Sequence, residues 1–148
     1  MPSGSPAWLP DFEEWIERAA SWSGPVLLIG GSPRVREGLA RLLHGQGPTR
    51  GGWFRLVDAA YGAPPGWLRV LCHPDALVSG GTLFVDSVDC LCREDQLQLL
   101  AWLDERVSAD RFVRTPWRII AGLEGLPGRG RILPALLDSL DKWRVDLR

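Results

Sequence analysis

Residues 80–88 read GGTLFVDSV, and this stretch decides the fold. Two glycines open it, an almost unbroken apolar run follows from Thr82 to Val85, and an acid, Asp86, closes it. A strand without polar alternation is buried on both faces, the habit of parallel sheets covered by helices. Upstream, PVLLI (25–29) has the same character and ends in Gly30-Gly31. Downstream, WRIIAG (117–122) repeats it. WFRLVD (53–58), introduced by Gly51-Gly52, and WRVDL (143–147) supply two further strands.

Helical spacings separate these runs. DFEEWIERAASW (11–22) sets Phe12, Trp15, Ile16 and Ala19 on one face, with Asp11 as the expected N-cap. RVREGLARLLH (34–44) places Val35, Leu39, Leu42 and Leu43 to one side, and Gly45 and Gly47 stop it. EDQLQLLAWLDERV (94–107) is helical, with Leu97, Leu100, Trp102, Leu103 and Val107 apolar. LEGLPGRGR (123–131) is loop, and ILPALLDSL (132–140) is a short helix with Pro134 in its first turn. Residues 61–80 are ambiguous: a turn cluster, YGAPPG, precedes WLRVLCHPDALV, which fits a strand and turn or a bent helix. Strands alternating with helices predict a three-layer α/β domain with a mainly parallel sheet and right-handed crossovers. Residues 1–10, with three prolines, read as a flexible lead-in; residues 11–148 read as a single domain.

Composition narrows the function. The 148 residues carry 17 basic and 18 acidic side chains, a net charge of −1, which offers no electrostatic footprint for nucleic acid. The only lysine is Lys142, so a lysine-dependent mechanism is excluded over the first 141 residues. No apolar run is long enough for a membrane helix, and the N-terminus has no signal-peptide character. Three cysteines, sparse and odd in number, suit a reduced cytoplasmic protein. The eight tryptophans read as core anchors or, where exposed, as a docking surface for a protein partner.

LLIGGSPRVRE, GGTLFVDSVD, RIIAG and GRILPALLDSLDKWRVDL occur in that order from residue 27 to the end. Together they resemble the AAA+ domain of sigma-54-dependent activators, the bacterial enhancer-binding proteins. That family reads roughly LITGESGTGKE, GGTLFLDEIGD, RIIAATN and GRFREDLYYRLNVFRVEL at these places. The resemblance implies a P-loop NTPase fold, the AAA+ large subdomain, with five strands in the order 5-1-4-3-2. It also implies bacterial signalling or transcription control as the setting.

The departures from the family are concentrated where chemistry is expected. Phosphate is cradled by backbone N–H groups and reached by a lysine. Gly30 and Ser32 keep the family pattern and Glu37 matches its glutamate, but Pro33 and Val35 replace glycines and Arg36 stands at the lysine. Proline has no N–H to offer, and a forked guanidinium does not substitute simply for an ammonium. Asp86 falls on the metal-coordinating aspartate, whereas Ser87 replaces the glutamate that polarises the attacking water. Glu124 falls on the sensor asparagine; Leu133 and Ser139 fall on the finger arginines.

Two readings of the loop stay open: a strand–turn–helix without a ligand, or a weak site for ATP or ADP with Mg2+. The second would use Gly30, Gly31, Ser32, Arg34, Arg36, Glu37 and Asp86, with a metal held only at Asp86. By the same resemblance the chain is expected to lack the GAFTGA loop and the helical lid. Cys72, His73, Cys90 and Cys92 could be imagined as a zinc site, but the C-x-C spacing is wrong for a usual knuckle. The expectation is a catalytically inactive module that contacts a protein partner, such as an intact AAA+ homologue or another signalling protein. The alternative is a nucleotide-binding switch or slow ATPase.

Overall fold

The computed structural model describes residues 9–22, 24–62, 67, 80–109, 117–128 and 130–148. Five strands form its centre: β1 (Val26–Ile29), β2 (Trp53–Asp58), β3 (Gly81–Asp86), β4 (Trp117–Leu123) and β5 (Arg144–Asp146). They lie side by side in the order β2-β3-β4-β1-β5, and all pairings are parallel. This is the expected order 5-1-4-3-2 seen from the other edge. Every residue of β1 and β3 is buried, as their unbroken apolar runs require.

Helices cover both faces: α1 (Leu9–Ser21), α2 (Pro33–Gly45), α3 (Arg93–Ala109) and α4 (Pro134–Leu140). Alternate strand residues point to opposite faces, so the sheet builds two cores. Val26, Leu28, Phe84, Ile120 and Val145 meet Ile16, Ala19 and Ala20 of α1 and Leu39, Ala40 and Leu43 of α2. Leu27, Ile29, Leu83, Val85, Ile119 and Ala121 meet Leu99, Trp102 and Leu103 of α3 and Leu136 and Leu140 of α4. Single 3-10 turns follow β2 at Ala59–Tyr61 and β3 at Val88–Cys90.

Several local expectations need correction. α1 begins at Leu9, so Asp11 lies inside the helix rather than at its cap, and Leu9 and Pro10 belong to the helix. Proline fits there because a first-turn N–H has no helical acceptor. In α2 the inward stripe is Arg36, Leu39, Ala40 and Leu43, while Val35 is 51% and Leu42 39% exposed. In α3 Leu99 is fully buried and Leu97 is 48% exposed. The ambiguous stretch 61–80, with Cys72 and His73, falls mostly outside the described residues.

The tryptophans with described side chains serve mainly as anchors. Trp67 and Trp102 are buried, and Trp53 packs against the core shared with α3 and α4. Trp15 and Trp22 meet Trp143 with ring centroids 6.5 and 6.0 Å apart. Of these, Trp22, at 38%, is the exposed one, so the described rings follow the core-anchor reading.

Candidate functional site

The loop between β1 and α2 meets the tip of β3 at the C-terminal edge of the sheet, where open α/β sheets bind ligands. Arg36 fills this corner. Its position on the inward stripe of α2 directs the side chain under the loop, and the residue is fully buried. The guanidinium Nε donates to Asp86 Oδ1 at 2.7 Å and Nη2 to Asp86 Oδ2 at 3.2 Å. Nη1 donates to the carbonyls of Gly30 at 3.0 Å and Gly31 at 2.9 Å. The forked, charge-assisted pairing matches carboxylate geometry.

Gly122 gives this pair its room. A Cβ there would lie 2.2 Å from Asp86 Oδ1 and 3.3 Å from Arg36 Cδ. Gly30 is required for its own reasons: its φ is +91°, and a Cβ would lie 2.6 Å from Arg148 Cγ. The chain after β5 thus lies directly over the loop.

Three of the loop's donors are engaged within the chain. Gly30 N–H bonds Leu123 O at 2.8 Å, Val35 N–H bonds the Ser32 cap hydroxyl at 3.2 Å, and Arg36 N–H bonds Ser32 O at 3.0 Å. Pro33, the first residue of α2, has no N–H. A phosphate cradle needs several N–H groups pointing inward. Here the carbonyls of Gly30 and Gly31 point at a cation that the chain supplies itself.

Of the seven residues singled out from sequence, five gather at this corner and two do not. Gly30, Gly31, Arg36 and Asp86 come together, with Ser32 capping the helix beside them. Arg34 is exposed, and Glu37 turns along the helix surface to accept from Arg41 Nε at 3.0 Å. Sequence reading placed Arg36 at the lysine position but not its inward burial. The signal was available: Arg36 precedes Leu39, Ala40 and Leu43 by three, four and seven residues.

Beyond Asp86 the chain turns through Ser87, which has φ 53° and ψ 48°, a left-handed conformation rare outside glycine. Ser87 is 8% exposed. With Asp89, Cys90, Glu124, Leu126 and Arg131 it lines a cleft of about 320 Å3 beside the loop corner. Gln96, missed in the sequence, fixes one wall: its Nε2 donates to Leu91 O and Arg131 O, each at 2.9 Å, and its Oε1 accepts from Leu133 N–H at 2.8 Å. Neither Leu133 nor Ser139 offers a cation from α4, and Arg129 lies outside the described residues. Cys90 and Cys92 are free and exposed.

Sheet order, a loop joining β1 to α2 and an acid at the tip of β3 define the class: this chain has the α/β fold of a P-loop NTPase. Among known proteins the similarity runs to bacterial regulators. NtrX from Brucella abortus, solved in complex with ADP, is 26% identical with a TM-score of 0.72, covering 97% of this chain and 36% of that one. Its complex with ATP gives 25% identity and the same TM-score. The P-loop NTPase domain of the sigma-54 transport activator from E. coli, at 21% identity and TM-score 0.68, covers 97% of this chain and 96% of that one. In sequence, the chain is 29% identical over 166 residues to the Nif-specific regulatory protein of Rhodobacter capsulatus, across 90% of this chain. It spans 29% of that relative's length. No family model matches the chain. Among the described residues, no helix is long and apolar enough to cross a membrane.

Proposed function

We propose that this chain is a sigma-54-activator-like AAA+ module that does not hydrolyse nucleotide and acts as a protein-interaction or regulatory subunit in bacterial transcription control. Residues 11–148 act as one domain in the cytoplasm, through protein partners rather than DNA. One observation carries the reading: the Arg36 guanidinium occupies the loop and holds both oxygens of Asp86. The carboxylate that would face a metal ion is already neutralised. The loop carbonyls that would repel phosphate are already satisfied by the same cation. Admitting a magnesium nucleotide would require Arg36 to leave four charge-assisted hydrogen bonds and Asp86 to change partner.

Further support comes from the next two positions in the reaction. Ser87 replaces a water-polarising carboxylate and has no base chemistry at neutral pH. The cap and first turn of α4 carry no arginine to stabilise a transition state. A nucleotide-binding switch is the competing reading, and it draws on the ADP and ATP in the NtrX complexes. Thermal melting with millimolar ATP or ADP and Mg2+ separates the two. A ligand at about 100 times its Kd stabilises by about 2.7 kcal/mol. We expect no change in Tm; a saturable rise with nucleotide would overturn the proposal.

A further inference from the structure

The outer flank of α2 is apolar where it faces solvent. Val35 is 51% and Leu42 39% exposed. They stand seven residues apart, two turns of helix, so they share one side. Gly38 lies between them on that side. Its φ is not in the left-handed region, and among the described residues no atom outside its own helix backbone would lie within 4 Å of a Cβ built there. A glycine inside a helix costs stability relative to alanine, and neither the backbone nor internal packing requires this one. What the missing side chain provides is room for another backbone to approach. Leu147 extends the apolar strip at the Val35 end: its Cδ1 and Val35 Cγ1 would each lie 3.3 Å from a Cβ on Gly31.

We propose that this flank receives a second copy of the chain, packed α2 against α2 about a two-fold axis beside Gly38. The pattern is self-complementary. Val35 and Leu42 are equidistant from a point between Gly38 and Leu39, each about 5 Å along the helix from it. A two-fold rotation there sets the helices antiparallel and brings each Val35 onto the Leu42 of the other copy, with the Gly38 turns crossing between them. The same rotation brings Glu37 of each copy beside Arg41 of the other. Within one copy Glu37 already accepts from Arg41 Nε at 3.0 Å, with side chains 38% and 58% exposed, so the pair exchanges partners at little cost. Charge pairs of this kind fix register and orientation more than affinity. Arg34, exposed on the same helix, keeps its charged head in water. Two part-exposed apolar side chains per copy make a small contact, so the association is weak. The inference does not depend on whether the β1–α2 loop binds nucleotide.

Analytical ultracentrifugation of the full chain from about 5 to about 500 μM tests this. The expected result is a reversible monomer–dimer equilibrium, with the mass rising from 16.4 kDa toward twice that value and no further. Val35→Asp raises the dimer Kd at least about tenfold. Gly38→Gln does the same while its Tm stays at or above the parent's, because the new side chain enters open space and favours the helix. Glu37→Arg and Arg41→Glu each weaken dimerisation about threefold alone. A mixture of those two variants associates more tightly than either, since only the mixed dimer pairs opposite charges on both sides. Each variant has lost its internal Glu37–Arg41 pair, so that recovery reads the contact between copies. A mass of 16.4 kDa at every concentration, or association that continues past two copies, would overturn the proposal. So would a Gly38→Gln variant that dimerises as well as the parent, or a mixture no tighter than the better of its components.

Discussion

Arg36 and Arg118 are buried to the same depth, at 0% and 1% exposure, at opposite ends of the sheet. Arg36 lies at the C-terminal edge, tied to a carboxylate and two loop carbonyls. Arg118 lies near the start of β4, where Nη1 donates to Ala20 O at 2.9 Å and Nη2 to Ala19 O at 3.4 Å, at the end of α1. A cation there also suits the negative end of a helix dipole. The comparison teaches that the loop corner at Arg36 is tied down by the same device, a buried guanidinium donating to backbone carbonyls, that ties down the end of α1. Arg36 takes as its counter-ion Asp86, the acid at the tip of β3.

Breaking the anionic tie gives the largest expected effect. Asp86→Ala leaves a guanidinium buried without its carboxylate and is expected to destabilise the fold by about 3–5 kcal/mol in urea denaturation. The double variant Arg36→Met/Asp86→Leu removes both charges and should recover most of that loss, because apolar pairs of similar volume often replace buried ion pairs without penalty. If the double variant is as unstable as Asp86→Ala, the effect lies in shape rather than in an unpaired charge.

Arg118→Met sharpens the comparison from the other side. It strips donors from the Ala19 and Ala20 carbonyls, and a loss of about 1–3 kcal/mol is expected by the same measurement. A loss equal to that of Asp86→Ala would show that the two buried guanidinium sites weigh equally in stability.

The smallest effect concerns protons at the Arg118 end. His44 Nδ1 lies 2.8 Å from Thr82 Oγ1, and Thr49 Oγ1 lies 2.8 Å from the same hydroxyl. Burial, then the charges of Arg118 and Arg41, hold the imidazole below its ordinary pKa, against an opposing backbone hydrogen bond to Gly52. The unfolded chain then binds more protons than the folded one once pH falls below about 6.5, so stability declines with falling pH in that window. His44→Gln should flatten that part of the Tm-versus-pH curve relative to the parent; an unchanged slope would mean His44 is not its source.

Much of the architecture was legible in residues. GGTLFVD, VLLI and RIIAG are apolar without alternation, and each became a strand covered on both faces. Helix faces were less legible, because α2 mixes Val35 and Leu42 outside with Arg36 inside. A hydrophobic count assigns the arginine to solvent, whereas its spacing from Leu39 and Leu43 assigns it to the core. The cleft was less legible still, since Ser87, Asp89, Glu124 and Arg131 come from separate loops that meet only in the fold.

By itself, the sequence determined the strand and helix order and which residue types stand in the β1–α2 loop and at the tip of β3, because apolar periodicity and residue identity are local properties. Tertiary structure alone decided what Arg36 does. Whether a charge at the lysine position reaches outward to an anion or inward to Asp86 depends on where α2 packs and which way the Gly30 and Gly31 carbonyls turn. Burial settles the matter physically, since a guanidinium removed from water must satisfy its charge and donors with whatever the fold places around it.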